Sequence, residues 1–93
     1  MNDDVGPILE SCEVSRALIA AMREVEPRLT VQDRGSYLRV SAPGRCSLRR
    51  EAVERILGRA FHLPGDLEAL MPSFAGAFEV NSDEAVWHTR EKR

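Results

Sequence analysis

Tyr37-Leu38-Arg39-Val40-Ser41-Ala42-Pro43-Gly44-Arg45-Cys46-Ser47-Leu48-Arg49 is the stretch whose reading decides the fold. Leu38 and Val40 alternate with Tyr37, Arg39 and Ser41; after a break, Cys46 and Leu48 alternate with Arg45, Ser47 and Arg49. Strand side chains point to opposite faces with a period of two, so each half predicts a strand with one apolar and one polar face. Between them, Ala42-Pro43-Gly44-Arg45 puts Pro and Gly at the second and third positions of a type II turn. The expectation is a β-hairpin carrying Arg39, Arg45 and Arg49 on its outer face. That face is either a solvated surface or a docking surface for an acidic partner.

Upstream, the apolar run Val5-Gly6-Pro7-Ile8-Leu9 predicts a first strand. Pro7 cannot donate to a ladder, so this strand is expected to be irregular or at an edge. Ser11 is placed to cap a helix in which Val14, Leu18, Ala21, Met22 and Val25 recur at helical spacing, and Pro27 stops it. Leu29 and Val31 alternate as a second strand ending near Asp33-Arg34-Gly35. Downstream, residues 50–57 form a short helix with Val53, Ile56 and Leu57 inward, closed by Gly58. Pro64-Gly65-Asp66 opens another, carrying Leu67, Leu70 and Met71, and Pro72 ends it. Phe74, Gly76, Phe78 and Val80 alternate in a strand; Asn81-Ser82-Asp83 turns the chain into a last strand with Ala85, Trp87 and Thr89 on one side. The expected order is β-α-β-β-β-α-α-β-β: an α+β fold, a single small domain over 1–93, with a mixed or antiparallel sheet, hairpins and about three helices. Residues 1–4 and 91–93 are expected to be flexible ends.

The 93 residues allow one domain, and 43% apolar with 30% charged residues describes a folded soluble chain and not a disordered one. Charge is unevenly spread. Residues 1–32 sum to −3, 33–59 to +4 and 60–93 to −3, within a net charge of −2. An acidic–basic–acidic chain does not resemble a general nucleic-acid binder. The start Met1-Asn2-Asp3-Asp4 is acidic and the longest apolar run is Ala17–Met22, so neither a signal peptide nor a membrane span is expected, and the expected location is cytoplasmic. Cys12 and Cys46 then read as free thiols, Cys46 in the core.

Chemistry-bearing patterns are missing. There is no Gly-rich phosphate loop and no Cys-x-x-Cys, and the two histidines, His62 and His88, have no partner at a metal-ligand spacing. The carboxylate pairs Asp3-Asp4 and Asp83-Glu84 read as solvated charges. No catalytic residue, metal site or cofactor is expected.

Four stretches carry a family resemblance. They are Val5-Gly6-Pro7-Ile8-Leu9, Asp33-Arg34-Gly35-Ser36-Tyr37-Leu38-Arg39-Val40, Arg49-Arg50-Glu51-Ala52-Val53-Glu54-Arg55-Ile56-Leu57-Gly58-Arg59-Ala60-Phe61, and Pro72-Ser73-Phe74-Ala75-Gly76. In collinear order over about residues 5–90, they resemble the effector (coupling or regulatory) proteins of bacterial soluble multicomponent di-iron monooxygenases, the family serving toluene, phenol, alkene and methane monooxygenases. The resemblance implies a cofactor-free protein that binds the hydroxylase α-subunit above its di-iron centre. It implies tuning of rate, coupling and regioselectivity, functional coupling with a ferredoxin or reductase electron-transfer chain, and no nucleic-acid or membrane partner. Only four residues precede Val5, so the short-tailed toluene, phenol and alkene systems are the expected match, rather than methane-oxidising members with a long N-terminal arm.

The matching stretches supply the candidates for the partner interface: Val5, Gly6, Pro7, Phe61, His62, Leu67, Met71, Ser73, Phe74 and Gly76, with Arg39, Arg45 and Arg49 as pairing charges. Phe61, Leu67, Phe74 and Phe78 are equally consistent with core positions. Two other readings compete: a ferredoxin-like module sensing a small ligand, and a nucleic-acid-binding module using the Arg-rich 33–59 segment.

Overall fold

In the computed structural model, which describes residues 3–90, the chain runs β1 (Asp4–Glu10), α1 (Glu13–Val25), β2 (Thr30–Asp33), β3 (Tyr37–Pro43), β4 (Arg45–Arg49), α2 (Arg50–Leu57), α3 (Gly65–Glu68), β5 (Ser73–Ala75), β6 (Ala77–Val80) and β7 (Glu84–His88). This α+β order is the expected one, with the strand anticipated over 74–80 divided at Gly76. The strands form two antiparallel sheets, one ordered β2-β3-β1-β5 and the other β4-β7-β6.

The hairpin expected at 37–49 does not form. Both halves are strands, but β3 pairs with β1 and β2 while β4 pairs with β7. Alternation determines which residues face inward but not which strand they pair with. The break falls at Gly44, whose φ of +78° lies in the left-handed region that the turn pattern requires. That conformation here carries the chain out of one sheet and into the other. Gly44 N–H donates to Asp3 O at 3.0 Å, and Gly44 O accepts from Thr89 N at 3.0 Å.

After the chain returns to the first sheet through α2 and α3, Gly76 makes the second direct strand-to-strand crossing, between β5 on the edge of the first sheet and β6 on the edge of the second. Its φ is +94°, and a Cβ there would lie 2.6 Å from His88 O and 2.7 Å from Val5 Cγ1. β1 is irregular, as its Pro predicts, but it is not at an edge: it lies between β3 and β5. Its ladder with β3 holds at Asp4↔Pro43 and Val5↔Ala42, skips Gly6 and Pro7, and resumes at Ile8↔Arg39.

One core serves both sheets. Val5 and Leu9 of β1, Leu38, Val40 and Ala42 of β3, Cys46 and Leu48 of β4, and Ala85 and Trp87 of β7 meet Leu18, Ile19, Ala21 and Met22 of α1. Burial of each large apolar side chain contributes about 1.5–3 kcal/mol. α1 begins one residue later than the Ser11 cap predicts: Cys12 occupies the N-cap, and Ser11 instead donates its N–H to Ser36 O. Val25 continues the helical spacing but extends past the core and is 51% exposed. α2 has the expected bounds and ends at left-handed Gly58; Val53 is buried, Leu57 is half-buried, and Ile56 faces outward. Of the ends expected to be flexible, residues 1–2 and 91–93 lie outside the described residues. Residues 3–4 are tied into the sheet, through the Asp3 carbonyl and the Asp4↔Pro43 pair.

The two crossings predict an ordered pair of costs. Gly76→Ala meets backbone and Val5 at once and should lower stability by about 3 kcal/mol or more. Gly44→Ala meets nothing within 4 Å and should lose only the left-handed backbone penalty, about 1–2 kcal/mol. Urea titration of the two variants checks this; equal costs would contradict it.

Candidate partner-docking surface

Burial sorts the interface candidates into two groups. Val5 (2% exposed), Phe61 (2%) and Leu67 (0%) are core residues, and Gly6 and Pro7 are buried as well. All five are buried, with Gly6 lining the outer face of the four-stranded sheet. Val5 and Pro7 point inward from β1, Leu67 is the one buried residue of α3, and Phe61 is fixed by its N–H donating to Glu54 Oε2 at 2.9 Å. Met71 and Gly76 are half-buried; His62, Ser73, Phe74, Arg39, Arg45 and Arg49 are exposed.

The three arginines do not share a face, because the hairpin that would have aligned them does not exist. Arg39 lies on the four-stranded sheet, opposite Ile8 and Gln32. Arg45 and Arg49 lie on the three-stranded sheet, opposite His88 and Glu84. The Arg-rich 33–59 segment is therefore divided between two sheets and α2.

What the fold does assemble is an apolar edge. β5 pairs only with β1, and Ser73, Phe74 and Ala75 are all exposed. Phe74, 39% exposed, has its ring centroid 5.2 Å from that of Phe78, and Phe78 lies 5.2 Å from Trp87, which is fully buried. Tilted aromatic contacts at this separation are favourable beyond the area they bury. The shared parity of Phe74 and Phe78 is visible in the sequence; the Phe78↔Trp87 register that completes the column is not.

Both histidines are occupied locally. His62 N–H donates to Asp66 Oδ2 at 2.8 Å at the start of α3. His88 donates from Nδ1 to Thr89 O and from Nε2 to Glu79 Oε2, both at 3.0 Å, so the doubly protonated ring satisfies both acceptors. The Thr89 carbonyl first, and then the Glu79 carboxylate, raise the His88 pKa above its ordinary value. Among the described residues, no group of three or more His, Cys, Asp or Glu side chains is arranged to hold a metal ion. No helix of the described residues is long and apolar enough to cross a membrane. The thiols differ. Burial pushes the Cys46 thiol up to about 12, whereas at the N-cap of α1 burial raises the Cys12 thiol but hydrogen bonds with Ser15 and Val14 outweigh it, leaving it lowered.

The two-sheet α+β chain thus carries an exposed aromatic residue on a short edge strand. The model of the MmoB/DmpM family matches residues 3–88. The chain belongs to the MmoB/DmpM family. It is 34% identical over 86 residues to the effector subunit of the alkene monooxygenase system of Xanthobacter autotrophicus (strain ATCC BAA-1158 / Py2), covering 90% of this chain and 84% of that protein. Chains from two structures of a phenol hydroxylase–regulatory protein complex match with TM-scores of 0.83 and 0.77 at 24% and 25% identity, covering 94% and 91% of this chain and 99% and 98% of theirs. The soluble methane monooxygenase regulatory protein B shares the fold at a TM-score of 0.71 and 19% identity, covering 97% of this chain and 67% of that one. The regulatory, non-catalytic reading of the sequence is borne out by this family membership.

Two measurements check the local chemistry. Because His88 is more basic folded than unfolded, its contribution is fully present below about pH 6.5 and is lost as pH rises through the raised pKa. His88→Gln should flatten that decline in urea midpoints recorded from acid to alkaline pH. At about pH 8, Cys12 should react with a disulfide reagent in the native protein and Cys46 only after unfolding.

Proposed function

We propose that this protein is the effector of a multicomponent di-iron hydrocarbon monooxygenase: it binds the hydroxylase α-subunit and tunes the rate, coupling and regioselectivity of that subunit's active site. The observation that carries this is the 34% identity to an alkene monooxygenase effector subunit across 90% of the chain.

The physical mechanism is differential binding. A partner that fits one hydroxylase conformation better than another shifts the population toward it by the difference in affinity. About 1–3 kcal/mol of coupling suffices, which a standard interface of roughly 1,600 Å² can supply. The exposed candidates Ser73, Phe74 and His62, with half-buried Met71 and Gly76, form the proposed contact region, and Phe74 is its anchor. Arg39, which shares a surface with Ser73 and Phe74, joins this region, whereas Arg45 and Arg49 lie on the other sheet. The protein works in the cytoplasm alongside a ferredoxin or reductase that delivers electrons to the hydroxylase. The di-iron ligands reside on the hydroxylase.

Adding the protein to the cognate hydroxylase, electron carrier and NADH should raise product formed per NADH consumed, and flat coupling through a stoichiometric excess would refute the proposal. Phe74→Ala should weaken hydroxylase binding by about 2 kcal/mol, roughly 30-fold, without unfolding. His62→Ala and His88→Ala should leave coupling at saturation unchanged, since neither takes part in the reaction.

A further inference from the structure

The outer face of the four-stranded sheet is a concave surface enclosing about 530 Å³. Its floor is built from small or uncharged residues on four strands, among them Gly6, Ser41, Thr30, Gln32 and Ala75. A Cβ at Gly6 would lie 2.2 Å from Val40 O, so β1 and β3 approach each other closely beneath that floor. Two larger side chains stand at the centre, the half-buried Ile8 and, opposite it across the ladder and next to Gln32, Arg39. Its guanidinium makes no hydrogen bond or ion pair among the described residues.

The other charges of this face lie away from that centre. Asp4 is four residues from Ile8 along β1, roughly 13 Å at strand spacing. Arg34, beyond the end of β2, donates to Gln32 Oε1 at 3.2 Å. Arg45 and Arg49 stand in different company: Arg45 is opposite the His88–Glu79 pair, and Arg49 shares a depression with Glu51 and Asp83. Neither is hydrogen-bonded or ion-paired among the described residues, but both lie on the other sheet, whereas Arg39 stands at the centre of this face as a forked donor with no acceptor of its own.

We infer that this concave face seats an acidic segment of the hydroxylase, with one of its carboxylates taken by Arg39 and its larger side chains filling the groove. The inference rests on the effector reading above and deepens it. The groove is continuous with the β5 edge that bears Phe74, so one partner can cover both. A shallow floor of small residues lets the partner's backbone approach closely, and the pair forms at the centre of the contact, where it is shielded from water and salt.

The test is a titration of the cognate hydroxylase with effector variants, scored by the concentration giving half-maximal coupling, with circular dichroism confirming each fold. Arg39→Glu should raise that concentration about tenfold or more, and Arg39→Gln should raise it less, with the increase persisting at high salt. Ala75→Leu, which fills the floor without altering charge, should also raise it. Arg45→Glu and Arg49→Glu should stay within about twofold of the parent protein. Wild-type behaviour of folded Arg39→Glu overturns the inference. So does an equal loss in all three Arg→Glu variants, which would indicate general attraction and not a seat. A wild-type protein that fails to change coupling at any concentration removes the effector reading itself, and this inference with it, by a signature that none of the variants can mimic.

Discussion

Two sheets share one core because the chain passes directly from the first to the second at Gly44 and again at Gly76, returning between them through α2 and α3. Each glycine has positive φ, a conformation that side-chain-bearing residues adopt at a cost. Gly44 also ties the ends of the domain together. Its N–H takes the Asp3 carbonyl before β1, and its carbonyl takes the Thr89 N–H after β7, so backbone groups left over where strands end are satisfied at one residue. β1 touches both β4 and β7, and α1 lies against β4 and α2. Remove either crossing and the inward faces of the sheets lose their shared filling.

The candidate surface follows from the same geometry. A chain that folded the 37–49 segment into a hairpin would gather Arg39, Arg45 and Arg49 into one basic patch. Crossing at Gly44 separates them, leaving Arg39 on the concave face of one sheet and the other two on the other sheet. The crossing at Gly76 leaves β5 as a three-residue edge strand, short enough that Ser73, Phe74 and Ala75 are all accessible. Surface chemistry in this protein is thus a product of topology more than of local composition.

Much of this was legible in the sequence, because much of it is local. The bounds of α2, the left-handed stop at Gly58, the irregularity of a strand containing Pro7 and the inward parity of Leu38, Val40, Cys46 and Leu48 all follow from residue type and spacing. The non-local part was not legible. Nothing in Ala42-Pro43-Gly44-Arg45 distinguishes a turn that closes a hairpin from one that changes sheets, since both use the same glycine. Nor does the run from Phe61 to Gly76 disclose that Phe61 and Leu67 face the core while Phe74 is at the rim; that depends on which strand β5 joins. Among the candidate site residues, the polar ones lie exposed and the apolar ones are divided by packing.

The aromatic column from Phe74 through Phe78 to Trp87 has a practical consequence. Trp87 is the only tryptophan in the chain, fully buried, and two ring contacts from the edge strand. The protein therefore carries its own fluorophore at the inner end of that column, away from solvent but mechanically connected to the rim. Any event that shifts the Phe74 ring changes the packing around an indole whose emission depends on its immediate surroundings. Occupancy of the β5 edge becomes an optical quantity, readable without a label and without waiting for a catalytic cycle.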